Sequence, residues 1–157
     1  MPNSRALVSI YNEDTSAWVD LPCPSSYFGI STTVVDSARN SKAQVVAQVI
    51  ASDIAKVELK WNYLTVAQYS EIAQLFEEKY GGSFIVPVSF FDVVKGDFDG
   101  DNSTAPNTTT NKVRMFYPSD RKVEFAKIKL DDNGKPIGYT NVALNLIDTG
   151  FLYGETV

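Results

Sequence analysis

The sequence predicts a mainly β fold, a mostly antiparallel β-sandwich or small barrel of roughly seven to nine strands, with one packed α-helix at about residues 65–80. Three observations carry this. Several segments alternate apolar and polar residues with period two, as half-buried strands do. A single segment has helical periodicity instead. The segments after that helix fall into two hairpin-like pairs separated by turn formers.

The elements follow in chain order. The start is a polar lead-in, and residues 12–26 hold turn formers, among them Pro22, Pro24, Ser25 and Ser26. Tyr27 to Val35 reads as a strand, and Asp36 to Ser41 as a loop. Gln44 to Ile50 is rich in β-branched residues. From Ile54 to Trp61, Val57, Leu59 and Trp61 alternate with Lys56, Glu58 and Lys60, which buries one face and wets the other. Thr65 is a suitable helix N-cap, and Gln68 three residues on completes a capping box. Tyr69, Ile72, Ala73, Phe76 and Tyr80 then form one apolar face, and Gly81-Gly82 supplies the stop.

Ser83 to Phe91 returns to strand, and Pro87, which lacks a ladder donor, suggests an edge or a bulge there. Residues 92–111 are polar and rich in Gly, Asn, Ser and Thr, which predicts a long exposed loop. Val113, Met115 and Tyr117 open another strand; Pro118-Ser119-Asp120 interrupts it, and a further strand runs over about Arg121 to Leu130. Asn133-Gly134 marks a tight hairpin turn, since both residues tolerate positive φ. Val142, Leu144 and Leu146 alternate along the returning strand, and the tail after Asp148 is short. Nothing marks a domain boundary, so residues 1–157 read as one domain.

Composition limits the chemistry. The chain of 157 residues is long enough to bury a core without staples. Its net charge of −5 argues against nucleic-acid binding driven by counterion release. Cys23 is the one cysteine, so no intrachain disulfide forms, which suits a reducing compartment. No signal peptide is expected after Met1, and no apolar run approaches the roughly 20 residues that span a bilayer. Histidine is absent, which removes the commonest general base and zinc ligand.

The remaining candidates are few. Asp97, Asp99 and Asp101 occupy positions one, three and five of a calcium-loop pattern, but position six is Asn102 rather than Gly and position twelve is Thr108 rather than Glu. A solvated acidic loop is the favoured reading. Asn102-Ser103-Thr104 and Asn107-Thr108-Thr109 fit the glycosylation sequon, which has no meaning without export. Lys112, Arg114, Arg121, Lys122, Lys127 and Lys129 could line a basic sheet face, although alternating strands produce such a solvated face anyway. Trp61, Tyr63, Tyr69 and Phe76 are read as core rather than as a ligand pocket, and Cys23 has no base beside it. The expectation is therefore a protein with no catalytic residues and no cofactor. Gly96, Phe98, Asn102 and Thr108 in the long loop are the candidate partner contacts.

Several segments carry a resemblance. Asp36-Ser37-Ala38-Arg39-Asn40, the run from Ile54 to Thr65, Phe90-Phe91-Asp92, the run from Met115 to Arg121, and the strand from Val142 to Ile147 resemble small tail-module structural proteins of phages and prophages of Gram-positive bacteria. The match covers about residues 36–148 and rests on strand and cap patterns. It implies a tail-tube-like or distal-tail-like β fold with a flanking helix. It also implies a non-enzymatic virion protein that meets copies of itself in a ring, commonly sixfold, and meets other tail or baseplate proteins. Such a ring is assembled in the host bacterial cytoplasm, binds no membrane, and lets DNA pass without reading its sequence. Two rivals from the residues alone are a monomeric ligand-binding β module, for example carbohydrate-binding, and an enzyme that uses carboxylates.

Overall fold

A computed structural model describes residues 5–39, 41–42, 44–76, 85–125 and 130–154. Its strands are β1 (Val8–Asn12), β2 (Ala17–Asp20), β3 (Ser26–Arg39), β4 (Val45–Thr65), β5 (Val86–Asp92), β6 (Asp97–Asp99), β7 (Arg114–Phe125) and β8 (Gly138–Leu152), with helix α1 (Val66–Gln74) between β4 and β5. All pairings are antiparallel, so the mainly β architecture with one helix holds among the described residues.

The strands form one continuous sheet rather than two facing ones, in the order β2-β1-β5-β7-β8-β4-β3, with β6 paired to β5. The sheet curls on itself. Tyr27 on β3 donates its hydroxyl proton to the Phe91 carbonyl on β5, although three strands separate the two in the order. The link from β2 to β3 crosses the same gap: Leu21 N–H donates to Val8 at 3.0 Å and Ser25 N–H to Lys60 at 2.8 Å. Trp61 Nε1 donates to the Pro22 carbonyl at 3.0 Å, which pins this link over the core.

That core is assembled from the period-two faces. Val57, Leu59 and Trp61 are buried, as are Val142, Leu144 and Leu146, and these two sets face each other across the β4–β8 register. Phe90 and Phe116 meet edge to face at 5.3 Å. The helix begins as its sequence directs. Gln68 N–H donates to Thr65 Oγ1 and Thr65 N–H to Gln68 Oε1, a closed capping box. Ile72 and Phe76 are buried in the core cluster, while Tyr69 stacks edge-on to Tyr139 at 5.4 Å. The regular helix ends at Gln74, with Leu75 as C-cap. The expected stop at Gly81-Gly82 lies outside the described residues.

Five expectations are corrected. First, β1 and β2 form a hairpin where a polar lead-in was expected. Val8, Ser9, Ile10 and Tyr11 are all buried, and a strand covered on both faces shows no alternation. Second, Asp36 to Arg39 continue β3 instead of forming a loop, paired with Gln48 to Val45. Third, Pro118-Ser119-Asp120 does not end the strand. A register shift between Pro118 and Arg121 absorbs it as a bulge.

Fourth, the strand that carries Pro87 is interior to the sheet, although Pro87 itself keeps the local edge position expected of it. It pairs with Met115 on β7, but the β1 ladder starts only at Val88, so β5 has one paired neighbour at that point and tolerates the missing donor. Fifth, the turn at Asn133-Gly134 uses positive φ at Gly134 alone, +78°. Asp131 organises it, its carboxylate accepting the N–H groups of Asn133 and Lys135, both at 2.9 Å. A type I turn with a left-handed glycine needs no positive φ at Asn133.

Candidate interaction surface

The long loop, expected to be exposed, is so over residues 93–97, 103–105 and 108–110, yet it is anchored along the sheet beside β5. Arg5 is the anchor: its guanidinium donates to Gly100 O at 2.6 Å and to Ser89 Oγ, and lies 4.0 Å from the centre of the Phe98 ring. Trp18 Nε1 donates to Thr104 O at 2.8 Å, and Asn102 Nδ2 to Ser9 Oγ at 3.1 Å.

Within the loop, buried Asn111 donates through Nδ2 to Asp101 O and Thr104 O. Asn107 Oδ1 accepts the backbone N–H groups of Thr109, Thr110 and Asn111. These side chains do locally what a ladder would otherwise do.

The four loop candidates separate accordingly. Gly96 adopts φ +72° in the tight turn after β5, its N–H donating to Asp92 O at 2.8 Å. Phe98 packs on Phe91, ring centres 5.3 Å apart, and under Arg5, so it holds the loop down. Asn102 is engaged with Ser9, and the Thr108 side chain fills the space where a Cβ on Gly154 would sit. All four thus have structural contacts within this chain.

The three aspartates do not converge. Asp97 caps the N–H of Phe98 at 2.8 Å. Asp99 turns to Lys95 at 3.5 Å and Arg114 at 3.3 Å. Asp101 accepts the Ser103 hydroxyl at 2.7 Å and its N–H at 2.9 Å, and these bonds hold its carboxyl below the usual range. Among the described residues, no group of three or more Cys, Asp or Glu could hold a metal ion.

The basic stripe divides too. Arg114 is drawn inward to Asp148 at 2.9 Å, with side chains 12% and 3% exposed. Lys127 and Lys129 lie outside the described residues. The Tyr27 phenol is raised above its ordinary value of 10.0 by burial and by the nearby Asp92 carboxylate, so it serves as a fixed donor. Trp61 and Phe76 are core, and Cys23 is exposed.

What the structure leaves uncovered is at the other end of the sheet order. β3 closes that order, so its outer edge has no ladder neighbour among the described residues. On its outward face Phe28 is 53% exposed and Ile30 38% exposed. Across from them stand Glu58 and Lys56, paired with each other at 3.1 Å. A groove of about 230 Å³ lies there, lined by Ser26, Phe28, Glu58 and Lys60. Sequence periodicity could not reveal this surface, because which strand ends a sheet is a property of the pairing order.

Among known proteins, no family model matches the chain. Large ribosomal subunit protein bL12 of Rickettsia africae is 30% identical over 83 residues, 53% of this chain. The chain spans 65% of the length of that relative.

Proposed function

We propose that this chain is a non-enzymatic structural protein that assembles with copies of itself, and that its setting is a ring in a phage tail, at the tube end, the distal-tail hub or a junction. The long open edge of β3, with Phe28 and Ile30 facing outward beside it, carries this reading. A monomer normally blunts such an edge with charge, proline or a short strand, whereas an assembling protein pairs or covers it. The resemblance to tail-module proteins, over Asp36 to Asn40 and Ile54 to Thr65 in particular, supplies the phage setting.

The rivals have less support. A carbohydrate-binding module stacks sugars on exposed aromatic rings, and among the described residues the β3 groove offers one, Phe28. The partial likeness to a ribosomal protein suggests a ribonucleoprotein component. A chain of net charge −5 is poorly suited to hold RNA phosphates directly.

Light scattering after size exclusion, with negative-stain electron microscopy of the purified chain over a concentration series, tests the proposal. Closed rings or stacked tubes are the expected result. A monomer at every concentration would overturn it.

A further inference from the structure

Asn133 is the one asparagine in the chain that precedes a glycine. Asparagine is thermolabile, and most so before glycine, where no neighbouring Cβ keeps the next backbone nitrogen from the side-chain amide. The fold puts this pair in the open. Residues 131–135 are all exposed, and a Cβ at Gly134 would meet no heavy atom within 4 Å. The other loop asparagines are tied down: Asn102 to Ser9, Asn107 to three backbone N–H groups, and Asn111 to two carbonyls.

One residue stands against the reaction. Gly134 N–H, the group that must become the nucleophile, donates to the Asp131 carbonyl at 3.0 Å. Asp131 Oδ1 accepts the N–H groups of Asn133 and Lys135, both at 2.9 Å, and Asp131 N–H donates to Lys135 O at 2.8 Å. A type I turn holds its third residue at a ψ of about 0°, which turns the Gly134 nitrogen away from the Asn133 amide carbon. The turn must open before the two can meet.

We propose that Asn133 is a self-modification site and that Asp131 sets its rate by holding this turn shut, whatever the assembly state of the chain. In the open turn, hydroxide takes the Gly134 N–H proton and the nitrogen attacks Cγ of Asn133. The N–Cγ bond forms, the Cγ–Nδ2 bond breaks, and Nδ2 leaves as ammonia with a proton from water, which restores the hydroxide. Water then opens the succinimide ring at either carbonyl, giving aspartate or isoaspartate at position 133. Both products add a negative charge beside Asp131 and Asp132. Isoaspartate also lengthens the main chain of a hairpin that carries the Leu130–Pro136 bridge and the Ile137 carbonyl, which accepts the Val66 N–H at 3.1 Å. The change is one-way, and it falls in a turn tied to the first residue of α1. Asp99-Gly100 is the internal control. It has the same bare nitrogen, but its carboxylate is paired with Lys95 and Arg114, and Gly100 packs on Ser89.

The experiment ages the full chain at mildly alkaline pH. Mass spectrometry of peptides spanning residue 133 follows the exchange of amide NH2 for OH, and enzymatic methyl transfer reports isoaspartate. The parent, the parent unfolded in urea, Asp131→Ala and Asp131→Asn are compared, with amide hydrogen exchange of Gly134 measured in the folded chains. Asn133 should convert in the folded parent, more slowly than in urea by about the same factor that protects the Gly134 N–H from exchange. Asp131→Ala should convert about threefold faster or more, while Asp131→Asn, which keeps an oxygen acceptor, should match the parent. Position 99 should lag in every folded sample.

If Asn133 stays intact in the folded parent while the unfolded chain converts, the turn is locked and the site is overturned. If folded Asp131→Ala converts no faster than the parent, Asp131 does not set the rate and the proposal falls. Should Asp131→Ala fail to fold, the parent decides alone: a slowing unrelated to the Gly134 exchange protection overturns the role of the turn.

Discussion

Asp148 shows how one residue ties four strands together. Its Oδ2 accepts from Arg114 on β7 at 2.9 Å and from the Ala55 N–H on β4 at 3.2 Å, while Oδ1 accepts the Gly150 N–H at 2.8 Å. Arg114 also reaches Asp99 on β6 at 3.3 Å. Both partners of the Arg114–Asp148 pair are largely buried, so removing Asp148 leaves Arg114 with Asp99 as its carboxylate partner and leaves the Ala55 and Gly150 N–H groups without their acceptor. Asp148→Ala should therefore destabilise by about 3–5 kcal/mol in urea titration, and the double variant Asp148→Leu, Arg114→Met should recover only part of that loss, since the Ala55 and Gly150 N–H groups still lack their acceptor. A loss in the single variant no larger than that of a surface pair, ~1 kcal/mol or less, would show the pair to be solvent-screened. Tyr27 sets a second residue-scale test. Its folded pKa is raised above the ordinary 10.0, so its contribution is complete below pH 10 and is lost as pH climbs toward the raised value. Tyr27→Phe should lower stability at neutral pH through the lost bond to Phe91 O, yet flatten the decline above pH 10 in alkaline titrations.

At the scale of elements, the helix is the part most directly written in the sequence. Its cap, box and buried positions are local, set by residues three and four apart. Thr65→Ala should cost about 1 kcal/mol by opening the capping box. Phe76→Ala should cost about 3–5 kcal/mol, because Phe76 is 3% exposed within the core cluster. Denaturant titration measures both, and a Phe76→Ala loss under about 1 kcal/mol would make the helix peripheral. The strands were legible where one face is wet, as at Val57, Leu59 and Trp61. They were not where both faces are covered, as in β1, nor where a bulge carries the strand through Pro118. The β3 edge surface was invisible for a third reason: Phe28 and Ile30 obey the same alternation as core residues, and only the pairing order puts their side outside.

At the scale of the whole molecule, the polar loop expected to be an exposed excursion is tied to the sheet by Arg5, Trp18 and Ser9. Polar loops stay outside because they bury little apolar surface, yet residues 97–113 close one side of this sheet with hydrogen bonds. Gly100 packs so near Ser89 that a Cβ there would sit 3.4 Å from its Cα, and Val113 is fully buried beneath. Deleting Gly96 to Thr110 and joining the ends by a short turn removes β6, the Gly100 acceptor of Arg5, the Thr104 acceptor of Trp18 and the stacked Phe98. At about 1 kcal/mol for each lost hydrogen bond and about 2 for Phe98, stability should fall on the order of 3–5 kcal/mol. The shorter connection returns only a fraction of a kcal/mol, since closure entropy varies slowly with length. Urea titration of the deletion chain checks this, and a change below about 1 kcal/mol would show the loop to be a passive covering. Arg5→Met separates the anchor from the covering. It keeps an apolar stem over Phe98 but donates nothing to Gly100 O, so it should reproduce a minor share of the deletion's loss and leave the midpoint between those of parent and deletion.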